Sequence, residues 1–447
     1  MQTLKRRLTL VQATAINMID MVGIGPFIVL PLVIRDFNSS LFLWAWILGA
    51  VIALFDGMIW SELGAAYPLA GGSYNFLRVA FGEKWGRLAS FLFVWQTSIQ
   101  APLVLASGAI GFSTYVKYLV PLLGYWQQKC VSVLIILVIA FLLYRKIESI
   151  GKLAVFLWVA VLGTIGWIIV GGILYHPVSY SFLPPTVDTF FTSAFWVVLG
   201  QASVKTIYSY LGYYNVCHLG GEILKPEKNI PKSIFISIIG IAVLYLAMNL
   251  AVVHVIPWQE AQKHDFIVSV FMEETFGSTA ATIATVLVLC VAFSSLFAVL
   301  LGYSRVPYAA ALDGNFFKIF GRLHPTKAFP YVSLLFISGL AIILSFSLSL
   351  KQVIAAILAM RILVQFVAQA IGVVLLRKRN GTKALPFKMW LYPLPVILSI
   401  AIWLFVFYAT GWMAVWGTSV AALGVVVYFI REGLNKKSKI QSHTPDP

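Results

Sequence analysis

Ile16–Asn17–Met18–Ile19–Asp20–Met21–Val22–Gly23–Ile24–Gly25–Pro26–Phe27 sits in the middle of the first long apolar stretch of the chain. In lipid a helix has to satisfy its backbone hydrogen bonds internally. Pro26 removes one N–H donor there, and Gly23 and Gly25 let the backbone leave helical dihedrals. The spacing predicts a helix in two halves, a break tolerated only inside protein or beside a water-filled cavity. The plainer alternative is a proline kink. A break leaves free carbonyls at the end of the first half and free N–H groups at the start of the second. Such a socket suits a cation at one end and an anion at the other.

The rest of the chain places this stretch in a membrane. Its 447 residues are 60% hydrophobic and only 11% charged, where a soluble domain carries about a quarter charged residues. Twelve segments are apolar and long enough to span, at about 9–34, 41–66, 86–116, 127–144, 152–175, 191–219, 233–257, 279–311, 331–348, 352–376, 391–410 and 412–431. The net charge of +16 suggests a nucleic-acid partner until its distribution is considered. With both termini in the cytoplasm, most of the 32 Lys and Arg fall on inner segments. Outer loops keep Arg35, Lys117, Lys129, Lys263 and Lys351, and Lys205 and Arg361 lie inside helices. This is the positive-inside bias; the basic excess reports orientation and contact with the lipid bilayer, not nucleic acid. Three cysteines and six scattered histidines offer neither a disulfide framework nor metal-ligand spacing.

A second interruption falls in the sixth segment. Tyr208–Ser209–Tyr210–Leu211–Gly212–Tyr213–Tyr214–Asn215 is aromatic, polar and glycine-bearing at mid-membrane. The two interruptions lie five segments apart, and an odd offset inverts the second copy relative to the first. Paired broken segments in corresponding halves point to an inverted-repeat transporter with its site near the bilayer midplane.

Four ionisable residues also sit deep: Asp20, Asp56, Lys205 and Arg361. At about 1.5 Å rise per residue each is more than ~12 Å from its helix end, and a charge at the bilayer centre costs at least ~2.5–3.5 kcal/mol. Two acids and two bases suggest mutual pairing. Asp20 precedes the first interruption and Lys205 the second, so these two are expected to interact near the site. Arg361, Gln365 and Gln369 share one helix face, expected to point into the bundle and make interhelical hydrogen bonds. The stretch Trp258 to Gly277, with Glu260, Asp265, Glu273 and Glu274, is expected to form a short outer lid.

These motifs together resemble the amino acid–polyamine–organocation superfamily. Gly23-x-Gly25-x-Phe27 is similar to its first-helix signature. Ser61–Glu62–Leu63–Gly64, Pro68 and Gly71–Gly72–Ser73–Tyr74 are similar to its second helix and first inner loop. Tyr210-x-Gly212–Tyr213–Tyr214–Asn215, Gly221–Glu222 and Pro226–Glu227–Lys228–Asn229–Ile230–Pro231 resemble its sixth helix, and Ser304–Arg305, Asp313–Gly314 and His324–Pro325 the end of its eighth. The resemblance covers nearly the whole chain. It implies an all-α membrane protein of 12 transmembrane helices with a leucine-transporter-like 5+5 inverted repeat, helices 1 and 6 being discontinuous. On that reading 1–447 is one transporter domain, with repeats at about 9–175 and 191–376 and added helices at about 391–431. Pro26 departs from the pattern and costs one backbone donor, although proline is tolerated at a helix start. Val161 stands where some members carry a coupling lysine.

The resemblance implies transport of amino acids or related amines by alternating access, without an enzymatic reaction or cofactor, coupled to H+ or Na+ or working by exchange. The substrate carboxylate is expected at N–H groups near Gly23, Ile24, Gly25, Pro26 and Phe27. Its ammonium is expected at carbonyls of the unwound stretches Asn17–Gly23 and Tyr208, Ser209, Tyr210, Leu211 and Gly212. Tyr208, Tyr210 and Tyr213 are candidate aromatic gates, and Ser294–Ser295 resemble a hydroxyl pair that helps hold sodium. Asp20, Asp56, Lys205 and Arg361 are the candidate coupling charges. The other reading is a non-transporting amino acid receptor or a channel using the same socket. The sequence names no protein partner.

Overall fold

The computed structural model describes residues 4–37, 39–145, 147–175, 190, 192–347, 350–381 and 385–441. Among them the chain is all-helical: no strand forms, and only two isolated β-bridges occur, Leu8 with Ile223 and Ala70 with Leu219. Nine helices are long and apolar enough to cross a membrane among the described residues. Tyr331–Ser347 and Leu394–Ala409 are apolar but shorter, with 17 and 16 residues. Ser193–Tyr210, with 18 residues, carries Lys205 and several hydroxyls and falls outside the nine.

The outer surface matches a lipid solvent. Large apolar side chains such as Phe156, Ile173, Ile343 and Tyr408 stand exposed, whereas Asn17, Asp56, Glu62, Glu222, Arg305 and Arg361 are buried. A protein in water reverses that arrangement.

Both interruptions are real breaks. The first half-helix, Leu10–Met21, ends where Val22 takes φ −88° and ψ 77°, and the second, Gly25–Phe37, starts anew. Ser193–Tyr210 ends at an extended Leu211, and Gly212 follows at φ +128°. A non-glycine residue rarely adopts that conformation. A Cβ at Gly212 would also lie 2.7 Å from the Met21 nitrogen and 2.8 Å from the Asp20 carbonyl carbon. The second break therefore rests directly on the first.

The surrounding helices hold the breaks in register. Leu10–Met21 packs against Pro226–Val255, Ile147–Leu174 and Ser278–Tyr303, while Gly25–Phe37 packs against Ser193–Tyr210. Leu43–Ala66 packs closely on Pro226–Val255: a Cβ at Gly57 would meet Ile238 Cδ1 at 2.4 Å. Small residues permit such approach in membrane helices. The end bearing the basic loops is tied by buried ion pairs. Arg305 Nε donates to Glu222 Oε1 at 2.8 Å, and Arg377 Nε to Glu62 Oε1 at 2.7 Å. At the opposite end, Trp258–Ala261 and Ile267–Phe276 form the expected short helical segment. Arg35 reaches it at the Gln262 carbonyl and, at 3.3 Å, at Asp265. Lys263 donates to Glu260 at 2.8 Å and holds that exposed carboxyl below its usual range.

Candidate functional site at the two breaks

Where the breaks meet, the helices enclose a cavity. Asp20, Met21, Gly23, Ile24 and Gly25 form one wall, and Tyr208, Ser209, Leu211, Gly212 and Tyr214 the facing one. Val104 and Gly108 come from the Gly82–Leu119 helix, Ser295 and Tyr303 from Ser278–Tyr303, and Ile357 and Arg361 from Leu350–Arg361. About 50 Å³ is open to the centres of water molecules, room for roughly four waters at about 10–15 Å³ each.

Two cross-links join the broken elements. Asn17 Oδ1 accepts from the Val216 N–H at 2.8 Å. The Tyr245 hydroxyl lies 2.8 Å from the Met21 carbonyl and 3.1 Å from the Ser209 carbonyl, which share its one proton, so a single side chain bridges both breaks. Buried backbone groups need such partners wherever a helix opens.

The cavity gathers Asp20, Gly23, Ile24, Gly25, Tyr208, Ser209, Leu211, Gly212, Ser295 and Arg361 from the residues singled out in the sequence. Several others lie elsewhere. Asn17 acts from behind the wall, and Pro26 and Phe27 turn into the core. Tyr210 is buried against Trp46 and Tyr245, and Tyr213 donates to Asp56 at 2.5 Å. Among the three expected gates only Tyr208 faces the cavity, its hydroxyl 2.9 Å from Ser107 Oγ. Ser295 donates to the Asp20 carbonyl at 3.2 Å, while Ser294 turns back to Cys290 O at 2.6 Å.

The charge pairing is also corrected. Lys205 does not meet Asp20: it forms an ion pair with Asp36, near the end of the Gly25–Phe37 helix. The flexible lysine stem lets its ammonium leave the level of its own backbone. Asp56 does not reach the cavity. Its carboxylate accepts from Tyr213, from Trp60 Nε1 at 2.8 Å, and from Ser399 and Trp403 Nε1 at 3.3 Å each. Four donors from three regions make it a tie within the bundle. Asp20 and Arg361 do share the cavity wall, and Arg361 is the charge acting on Asp20. On the Arg361 face, Gln365 bonds Arg361 and Gln369 accepts from Ser73 Oγ at 2.5 Å. The sequence reading missed Tyr214 and Tyr303, which line the cavity beside Arg361; the tyrosine-rich 208–214 run offered a signal for the first, and nothing local marked the second.

An apolar exterior, apolar spans and a cavity between broken helices mark a multi-pass membrane protein. The chain belongs to the amino acid permease family, whose family model, described as "Amino acid permease", matches residues 8–430. Among its relatives, the serine/threonine exchanger SteT of Bacillus subtilis is 27% identical over 414 residues, 89% of each chain. The branched-chain amino acid permease BcaP of Lactococcus lactis is 25% identical over 421 residues, 88% of this chain and 87% of its own. The methylthioribose transporter of Bacillus subtilis is 23% identical over 453 residues, 96% of this chain and 94% of its own.

Proposed function

We propose that the protein is a secondary active transporter that moves amino acids across the cell membrane by alternating access. The observation that carries this reading is the cavity walled by both helix breaks. Uncapped N–H groups at the start of Gly25–Phe37 attract a carboxylate, and the polar stretch 208–212 faces it across the space. The family and the transporter names of its relatives support the same reading; no chemical reaction is assigned to the protein. A site open to only about 50 Å³ favours small amino acids, because a larger side chain requires the walls to move.

In this proposal the fold has twelve transmembrane helices in a five-plus-five inverted repeat with two added helices. Nine apolar helices, two shorter ones and Ser193–Tyr210 are compatible with that count. The basic inner segments put both termini in the cytoplasm. Transport is driven by H+ or Na+, or runs as exchange. Purified protein in proteoliposomes tests this, with labelled amino acids under imposed H+ or Na+ gradients and with amino acid preloaded inside. Accumulation or exchange is expected; no flux under any of these conditions contradicts the proposal.

A further inference from the structure

Arg361 is 3% exposed, yet among the described residues no carboxylate forms an ion pair with it. Its Nε donates to Gln365 Oε1 at 2.9 Å and Nη2 to the Tyr303 hydroxyl. The Tyr214 side chain is a further hydrogen-bonding neighbour of the guanidinium. The guanidinium carbon sits over the rings of Tyr214 at 4.9 Å, Tyr303 at 5.5 Å and Phe366 at 5.7 Å. Ring faces stabilise a cation but do not take up its N–H donors as a carboxylate does. A guanidinium carries five donors in a fixed fork, and this fork lies on the cavity wall.

Asp20 is the carboxylate on the same cavity wall. It is 9% exposed, with the Asn215 side chain as its hydrogen-bonding neighbour and Arg361 as the charge that acts on it. The backbone of the socket is more committed than the sequence suggests. The Asp20 carbonyl takes the Ser295 hydroxyl, and the Met21 and Ser209 carbonyls share that of Tyr245. Pro26 has already removed one N–H from the opposite end. Among the described residues, Asp20 and Arg361 are the two charged side chains that line this small cavity. Buried charges without an ion-pair partner in contact are costly unless a ligand completes them.

We propose that Arg361 binds the α-carboxylate of the substrate and Asp20 its α-ammonium. The transported class is then small free α-amino acids with both ends ionised, to the exclusion of amines, α-amides and peptides. This rests on the amino acid transport reading. Arg361 lies in the tenth apolar segment, nine after the one that carries the backbone donors at Gly25, and it restores the anion contact that Pro26 withdraws.

The test uses the full-length protein in nanodiscs. Binding of each of the twenty common L-amino acids is measured first by thermal shift and calorimetry; binding of none, together with no uptake, removes the transport reading itself. The tightest-binding amino acid is then compared with its α-amide and its decarboxylated amine. Wild-type protein is expected to prefer the free acid, and Arg361→Gln to shrink that preference by about 10–100-fold, the span of a lost charge-assisted hydrogen bond. Arg361→Lys should restore part of it. An unchanged acid-to-amide ratio in Arg361→Gln, with both ligands weakened alike, assigns Arg361 a packing role and overturns the proposal. So does a wild-type ratio near one, which needs no variant to fold. A change confined to selectivity among side chains overturns it as well.

Discussion

Asn17 Oδ1 accepts the Val216 N–H at 2.8 Å, so a side chain from the first broken helix caps the backbone released by the second. Asn17 is fully buried. Asn17→Ala should leave a buried donor unpaired and cost about 1–3 kcal/mol. A lower unfolding midpoint in detergent, together with reduced uptake per folded molecule, is the expected result. A thermal midpoint equal to wild type would show that the cap contributes nothing.

Gly212 lies directly against the backbone of the first break. Alanine there meets both an unfavourable φ of +128° and backbone atoms of Asp20 and Met21 inside 3 Å. Because the obstacle is backbone, no flexible side chain can move aside. Gly212→Ala should abolish transport. Gly163→Ala is the matched control: nothing lies within 4 Å of its added methyl, and alanine gains up to about 1 kcal/mol of helix propensity. Uptake by the two variants, normalised to folded protein, separates a local clash from a general intolerance of glycine replacement.

Asp56 holds three regions together from outside the cavity. Asp56→Ala orphans up to four donors, each worth about 1–3 kcal/mol when buried and unpaired. Tyr213→Phe removes one hydrogen bond and should be milder. Both variants should lower thermal stability, and the folded fraction should keep the wild-type order of substrate preference. A reordered preference would place Asp56 in substrate recognition.

Lys205 pairs with Asp36, and both side chains are about one-fifth exposed. Partial solvation keeps such a pair modest, on the order of 1 kcal/mol or less. Lys205→Met should therefore leave the ion or pH dependence of uptake unchanged and reduce stability only slightly. The exchanged pair Lys205→Asp with Asp36→Lys should recover what each single reversal loses. Altered coupling in Lys205→Met would return this lysine to the transport cycle.

The breaks were legible because their causes are local. Gly23, Gly25 and Pro26 act on their own backbone, and Gly212 on its own φ. Where each side chain points beyond a break was not legible. A 3.6-residue period assigns faces only while the helix continues, and it stops at Leu211. Of the two tyrosines beyond that point, Tyr214 faces the cavity and Tyr213 turns away, whereas Tyr208 and Tyr210, two residues apart within the helix, point to opposite sides. Long-range partners were hidden for another reason. Lys205 and Asp36 are 169 positions apart, and Asp56 and Trp403 347 positions apart, so only the assembled bundle brings them together. The Arg361 face was read as interhelical hydrogen bonding; Gln365 and Gln369 do bond within the bundle, but Arg361 also opens onto the cavity.

The central claim is that a solute occupies the space where the two broken helices meet. Single cysteines at Ile24 and at Ser209, one on each wall, in a background with Cys130, Cys217 and Cys290 replaced, test it by their rate of reaction with a small water-soluble thiol reagent. The account predicts that a transported amino acid at saturating concentration slows modification at both positions together. Undiminished modification at both, with transport intact, would contradict it.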